Sequence, residues 1–324
     1  MREITGTKAI NEAVREEFTR DSTVILFGED VTKIGGAFGH YKDIYKDFEN
    51  RVFNTPISES AIVGTAMGAA MTGLRPIVNI MYIDFIACAM DQLANQVAKV
   101  KYMFGGKAKV PMVIETHQGG YFQNAAQHSQ SLEAWIMHIP GLKLVMPSNP
   151  YDAKGLLKTA IRDDNPVVFI THKFFYSMKS QVPEEEYLVP FGKADVKRAG
   201  DDISIIAISH MVNFALEAAV KLEKEGISAE VIDPRTLVPL DIKTIVDSVK
   251  KTGKALIVQE ANITCGVGAE LATLINNEAF DYLDAPIARI GAKPVPVPYN
   301  AMLEREALPK EEDIIMAVRD ILKH

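Results

Sequence analysis

The sequence predicts an α/β protein of two domains, each a mostly parallel sheet covered by helices. Three observations lead there. Apolar runs of four to six residues recur with hardly a polar interruption, as expected of strands buried on both faces. Longer stretches between them carry apolar residues at helical spacing. One segment, from Gln181 to Gly200, breaks that rhythm and divides the chain.

Taken in order, Ile10, Ala13, Val14 and Phe18 share one face of a first helix. Runs at 23–27, 76–80, 111–114, 142–146 and 166–170 read as the strands of a first domain. The stretch QVPEEEYLVPFGKADVKRAG (181–200) has two prolines, an acidic run and no apolar periodicity, which suits a linker. The predicted boundaries are 1–185 for the first domain, 186–200 for the linker and 201–324 for the second domain. In the second domain, runs at 203–208, 229–232 and 255–258 read as strands, and Ala215, Ala218, Ala219 and Leu222 share a helical face. Cys265-Gly-Val-Gly lacks the third small residue of a dinucleotide fingerprint and reads as a tight helix start. Pro294-Val-Pro-Val-Pro is locally extended, either a rigid surface crossing or a peptide-recognition motif. No internal repeat is visible.

Composition narrows the function. The chain has 324 residues, 48% apolar and 24% charged, with a net charge of −7. That much apolar material excludes a disordered chain. Two cysteines, Cys88 and Cys265, exclude a disulfide scaffold. An acidic chain without a basic stripe argues against nucleic acid as the main partner. The richest apolar stretch, 77–90, is short and carries Asn79 and Asp84, whereas a membrane span needs about 20 apolar residues. The opening residues have no apolar signal core, and Glu12, Glu16 and Glu17 do not suit a transit peptide, so a reducing, cytoplasmic compartment is expected.

The common chemistry motifs are absent: no nucleophile elbow, Walker loop, His-Glu-x-x-His or Cys-x-x-Cys. The seven histidines are scattered, with His128 and His138 off metal-ligand spacing. The informative region is 51–73. An apolar strand end leads through Pro56 into Glu59, and a helix of small residues follows. Ser60, Gly64 and Gly68 lie on one face, where each glycine costs about 1 kcal/mol against alanine. That cost suits the close approach of another backbone or a flat ligand. Glu59 is either an ordinary helix-start carboxylate or one held in a dry pocket, where desolvation raises its pKa and lets it share a proton with a ligand. Phe85 sits at a strand–helix junction, as core or facing a cleft. His128 ends a polar, glycine-containing loop, solvated or a proton donor. Ala160-Ile-Arg-Asp-Asp-Asn-Pro is a helix-ending turn whose carbonyls could also converge on a cation.

Together these segments resemble one family over almost the whole chain. It is the β subunit of the thiamine-diphosphate-dependent, decarboxylating component of 2-oxo acid and acetoin dehydrogenase complexes. The matching stretches are GED (28–30), TPISESAIVG (55–64), DFIACAMDQ (84–92), YMFGGKAKVP (102–111), AAQHSQS (125–131), PGLKLVMPSNPYDAKGLLKTAIRDDNPV (140–167), VIDPRTLVPLD (231–241) and LDAPIARIGAKPVPVPYN (283–300). The resemblance implies two transketolase-like domains, a pyrimidine-binding domain and a C-terminal domain. It places Glu59 at the glutamate that hydrogen-bonds an aminopyrimidine ring nitrogen. That contact promotes the imino tautomer, whose nitrogen removes the proton from the reactive thiazolium carbon. It places Phe85 at the ring stacked on the pyrimidine and Ile57 at the apolar contact beside it. His128 falls at a histidine that assists substrate binding and acyl transfer to the lipoyl group. Met112, Ala160, Ile161, Asp163 and Asn165 match a structural potassium site of some relatives, built mainly from backbone carbonyls.

What is missing matters equally. Thiamine enzymes hold the diphosphate and Mg²⁺ with Gly-Asp-Gly followed by Asn-Asn; here Gly28-Glu29-Asp30 is no such motif and Asn276-Asn277 lies far away. By resemblance, an α subunit supplies that half, in an α₂β₂ assembly with β–β contacts and a docked dihydrolipoyl acyltransferase core with its lipoyl domain. The segments 102–111, 125–131 and the linker look most like acetoin dehydrogenase β subunits, and the C-terminal third looks equally like pyruvate dehydrogenase β subunits. Phe85 and Met81 look less like the branched-chain enzymes. A self-sufficient transketolase-type enzyme and a non-catalytic scaffold are the other readings; the missing diphosphate motif opposes the first, and Glu59, Phe85 and His128 oppose the second.

Overall fold

The structure is a computed structural model and describes residues 1–323. The chain divides into two compact units: Met1–Gln118 with Trp135–Phe191, and Gly119–Ala134 with Gly192–His324. The segment 119–134, placed in the first domain by the sequence reading, therefore packs with the second. The reason is long-range hydrogen bonding that local pattern cannot show, described below.

The first unit opens with β1 (Arg2–Thr5) and the helix Gly6–Arg20. Thr5 caps that helix by accepting from Lys8 N, and Ile10, Ala13, Val14 and Phe18 are all buried, as their spacing predicts. The strands β2 (Val24–Gly28), β3 (Val52–Asn54), β4 (Arg75–Ile80), β5 (Val113–Gln118), β6 (Lys143–Val145) and β7 (Val167–His172) follow. Within the unit they lie in the order β6-β7-β5-β4-β2-β3, every pair parallel. A short strand β8 (Lys179–Val182) pairs antiparallel with β1, and its last two residues lie within the pattern-free stretch 181–200. The helix Pro150–Arg162 starts with Asn149 as cap and proline in its first turn, and packs on Gly6–Arg20.

That helix seam carries charge in the interior. Lys154, only 1% exposed, reaches Glu12 at 2.9 Å and Glu16 at 2.7 Å. Lys158 also holds Glu16 at 2.7 Å, and Arg162 makes a bidentate contact with the buried Glu17. Burial alone would raise the Glu12 carboxyl, but hydrogen bonding and charge from Lys154, with Arg2, hold it below its usual 4.5.

The second unit holds β9 (Asp195–Arg198), β10 (Ile203–Ala207), β11 (Ala229–Asp233), a short β12 (Thr236–Val238), β13 (Ala255–Asn262) and β14 (Ala288–Ala292). Its sheet runs β14-β13-β10-β11-β9, parallel except for the antiparallel edge strand β9. Residues 195–198, read as linker, are thus part of this sheet. The helix Met211–Glu223 buries Ala215, Ala218, Ala219 and Leu222, and Val267–Ala279 begins after Gly266, the helix start expected there. Among the described residues no helix is long and apolar enough to cross a membrane.

Candidate functional site

Parallel α/β sheets gather ligands at the carboxyl ends of their strands, because loops and helix N-termini collect there. In the first unit that edge is formed by the paired ends of β2, β3 and β4: Gly28 stands opposite Asn54 on one side and Asn79 on the other. Thr55 N donates to Gly28 O at 3.0 Å and Thr32 N to Asn54 Oδ1 at 3.0 Å, fixing the chain as it leaves β3. It then passes Ile57, which is 70% exposed, and enters the helix Glu59–Met71, with Ser58 extended before it. Glu59 is the first helical residue, where a carboxylate gains about 0.3–1 kcal/mol from the helix dipole. It is partly exposed rather than enclosed in this chain. Burial raises the neighbouring Glu29 carboxyl, and the charges of Asp30 and Glu59 raise it further.

Phe85 leaves the same edge from β4. It lies in a 3₁₀ segment, Ile83–Ala89, with its backbone N–H on Tyr82 O at 2.9 Å and its ring half-buried. The helix Glu59–Met71 packs against this segment. Its glycine face is open: a Cβ at Gly64 would meet only Gln92 at 3.6 Å, and one at Gly68 would meet nothing within 4 Å. The structure thus brings Ile57, Glu59 and Phe85 to one sheet edge.

His128 stands on the second unit, in the segment 119–134. Gly120 N donates to Glu260 Oε1 at 2.7 Å, Gln123 N to Glu304 Oε2 at 3.0 Å, and Tyr121 OH to Pro309 O at 2.5 Å. Tyr121, Gln123 and Ala125 all have positive φ, a conformation that costs non-glycine residues energy and persists only where the surroundings enforce it. The loop thus holds a definite shape, and His128 is half-buried at its end. A cavity of about 350 Å³ lies beside it, lined by Ser129, Ser131, Glu260, Asn262 and the extended Pro294–Val297 segment.

The turn at 160–165 is a dense knot of carbonyls. Arg75 Nη1 donates to Ile161 O at 3.1 Å and Asp163 O at 3.0 Å, and its Nη2 to Asp164 Oδ1 at 2.6 Å. Met112 O and Ala160 O accept from Val167 N and Asp163 N. Lys101 Nζ holds Asn165 Oδ1 at 2.6 Å. A cation there would share Ile161 O and Asp163 O with Arg75.

Residues 2–178 match the transketolase pyrimidine-binding domain, and residues 192–314 match the transketolase C-terminal domain. The chain belongs to the transketolase-like family. A Bacillus subtilis relative named acetoin:2,6-dichlorophenolindophenol oxidoreductase subunit beta is 47% identical over 99% of this chain and 98% of its own length. The pyruvate dehydrogenase E1 component subunit beta of the same organism is 44% identical over the full length of both. Its 2-oxoisovalerate dehydrogenase subunit beta is 45% identical over 97% of each. Among solved structures, a split-gene transketolase described as an inactive β₄ tetramer superposes with a TM-score of 0.82, covering 99% of both chains; at 23% identity it speaks to the fold.

One polar cluster of this transketolase-like chain was not predicted. Glu115 and His117 sit two residues apart on β5, on one face, and His40 arrives from the 35–41 loop; all three are fully buried. Tyr176 OH lies 2.7 Å from His117 Nδ1 and donates to Glu115 Oε1 at 3.3 Å; Thr171 Oγ1 is 3.0 Å from the same His117 nitrogen, and Asn79 Nδ2 is 3.2 Å from Nε2. Burial pushes the Glu115 carboxyl up to about 8 and the His40 imidazole down to about 3. His117 is driven well below the usual range, first by burial and then by His40 and Lys173. The alternation Glu115-x-His117 was the only signal in the sequence, and nothing local joined it to His40.

Proposed function

We propose that this chain is the β subunit of a thiamine-diphosphate-dependent dehydrogenase that cleaves acetoin or decarboxylates a small 2-oxo acid and passes the acyl group to the lipoyl domain of an acyltransferase. The observation that carries the reading is the pairing of Glu59 and Phe85 at the carboxyl edge of a domain of the pyrimidine-binding family. The donor set fits the aminopyrimidine half of the cofactor: a helix-start carboxylate for a ring nitrogen, an aromatic face for stacking, and the uncovered Ile57 for apolar contact.

Bound thiamine diphosphate supplies the nucleophilic carbon and the electron sink for cleavage beside the carbonyl. Glu59 holds or yields the proton at the pyrimidine nitrogen. Phe85 and Ile57 orient that ring and exclude water, which strengthens the carboxylate's contact. His128 donates a proton during substrate binding and transfer to the lipoyl group. No Gly-Asp-Gly occurs in the chain, so the α subunit holds the diphosphate and Mg²⁺. The partial exposure of Glu59 and the open Gly64–Gly68 face support a shared site closed by that partner in an α₂β₂ assembly. Potassium belongs at the carbonyls of Met112, Ala160, Ile161, Asp163 and Asn165, beside Arg75. The working compartment is the cytoplasm.

Acetoin is the favoured substrate over pyruvate, given the slightly higher identity to the acetoin relative. The 2-oxoisovalerate relative is comparably similar, but Met81 and Phe85 look less like the branched-chain enzymes. The deciding experiment reconstitutes this chain with its α subunit and acyltransferase and compares turnover on acetoin, pyruvate and 2-oxoisovalerate. Turnover by the purified chain alone would overturn the half-site.

A further inference from the structure

The interior of the first unit holds a ligand set that the thiamine chemistry does not use. We propose that His40, Glu115 and His117 bind a divalent transition metal of the zinc class, one ion per chain, as a buried structural site.

The residue types come first. Two imidazoles and one carboxylate are the borderline ligands that select zinc over magnesium or calcium, which prefer all-oxygen sites. Each of the three residues offers one ligand atom, and these atoms all lie within 4.8 Å of one another; His40 Nε2 and Glu115 Oε2 are 3.7 Å apart. Zinc takes nitrogen and oxygen ligands at about 2.0–2.2 Å, so tetrahedral ligand atoms stand about 3.4 Å apart, and only a modest contraction is needed.

Unmet valence is the second observation. Both ring nitrogens of His40 and Glu115 Oε2 are buried without a hydrogen-bond partner among the described residues. Orphaned buried polar atoms are costly, and native chains rarely keep three together without something between them.

The surroundings are built to hold the set. His40 is delivered by a tight turn in which Gly35 N and Gly36 N both donate to Asp30 O. Gly35 and Gly36 have φ of +82° and +80°, and a Cβ at Gly36 would meet His40 Cε1 at 2.7 Å, so a side chain there would displace the imidazole. If His117 ligates through Nε2, its Nδ1–H already has acceptors in Thr171 Oγ1 and Tyr176 OH; if it ligates through Nδ1, the Asn79 amide beside Nε2, whose Oδ1 is otherwise unpartnered, turns over to accept from Nε2–H. Such outer contacts fix the orientation of metal-bound histidines. Phe38 stacks on Tyr176 at 4.2 Å and meets His117 edge-on at 5.2 Å, closing the site with rings. The fourth position falls to the Tyr176 hydroxyl or to water.

The test uses the untagged full chain, stripped with chelator and titrated with zinc against a chromophoric competitor, with thermal melting in parallel and cobalt as a spectroscopic probe. Expected are one equivalent of zinc, a rise in melting temperature with zinc, and tetrahedral cobalt bands. Glu115→Gln keeps the side chain's shape and His40→Gln keeps a polar group; each should weaken zinc binding about tenfold or more, while the exposed His138→Gln should not. Substoichiometric zinc binding by the wild-type chain overturns the site, as does unchanged affinity in Glu115→Gln. Equal loss in His138→Gln would put the metal on the surface and overturn it too. If His40→Gln fails to fold, the wild-type titration and Glu115→Gln still decide.

Discussion

The carboxyl edge of the first unit and its interior are made from the same sheet but solve opposite problems. At the edge, Ile57, Glu59 and Phe85 are left partly or largely uncovered. In the interior, Lys154 is sealed with Glu12 and Glu16 at close range, and His40, Glu115 and His117 are buried together. The difference teaches that polarity here is spent in two ways. The interior uses it to fix one conformation, while the edge leaves it uncovered, where the proposed shared cofactor site would use it.

The largest expected effect breaks the edge. Glu59→Gln should lower turnover of the reconstituted complex about 10³-fold by removing the proton relay, with assembly unchanged. A mutant complex that exchanges the cofactor's reactive proton at the wild-type rate would refute that role. Next comes the interior: Lys154→Met leaves Glu12 short of its main counterion and should cost about 3–5 kcal/mol in denaturant unfolding, with no direct effect on chemistry. His128→Ala should slow acyl transfer to lipoamide about 10²-fold while leaving substrate cleavage with an artificial acceptor nearer normal; unchanged flux to lipoamide would remove it from the mechanism.

Acid sharpens the comparison further. The Glu12 carboxyl is held below 4.5 in the folded chain, so its contribution to stability is present above that value and is lost as pH falls through the folded pKa. Melting temperatures should therefore drop below about pH 4.5, and Lys154→Met should flatten that drop. The smallest effect is at Ile57→Ala. Because the side chain is 70% exposed, stability should change by no more than about 0.5 kcal/mol, while cofactor affinity measured in the assembly falls about fivefold.

Much of this was legible from sequence because it is local. Strands such as β2, β10 apart from Ser204, and the first half of β13 are apolar runs, and the helix faces at Ile10–Phe18 and Ala215–Leu222 obey a single period. The edge residues were found because Glu59 and Phe85 sit in short motifs that resemble a known family. The interior resisted for the same physical reason throughout. β5 continues through Glu115, Thr116, His117 and Gln118, all buried, where the apolar run stops at Ile114, because other elements bring partners to Thr116, to His117 and to one oxygen of Glu115. Lys154 and Lys158 look like surface residues until Glu12 and Glu16 arrive from more than a hundred residues away. The loop 119–134 went to the second unit because Glu260 and Glu304 capture its backbone N–H groups.

The greasy, uncovered Ile57 has a practical corollary for anyone producing this polypeptide. Together with the exposed Phe53 four residues before it, this gives a solitary copy an apolar rim that its own fold never hides, inviting clumping and low soluble yield. Making both gene products in one host, at matched levels, should cure that behaviour, and a cell has the same incentive to keep their synthesis in step.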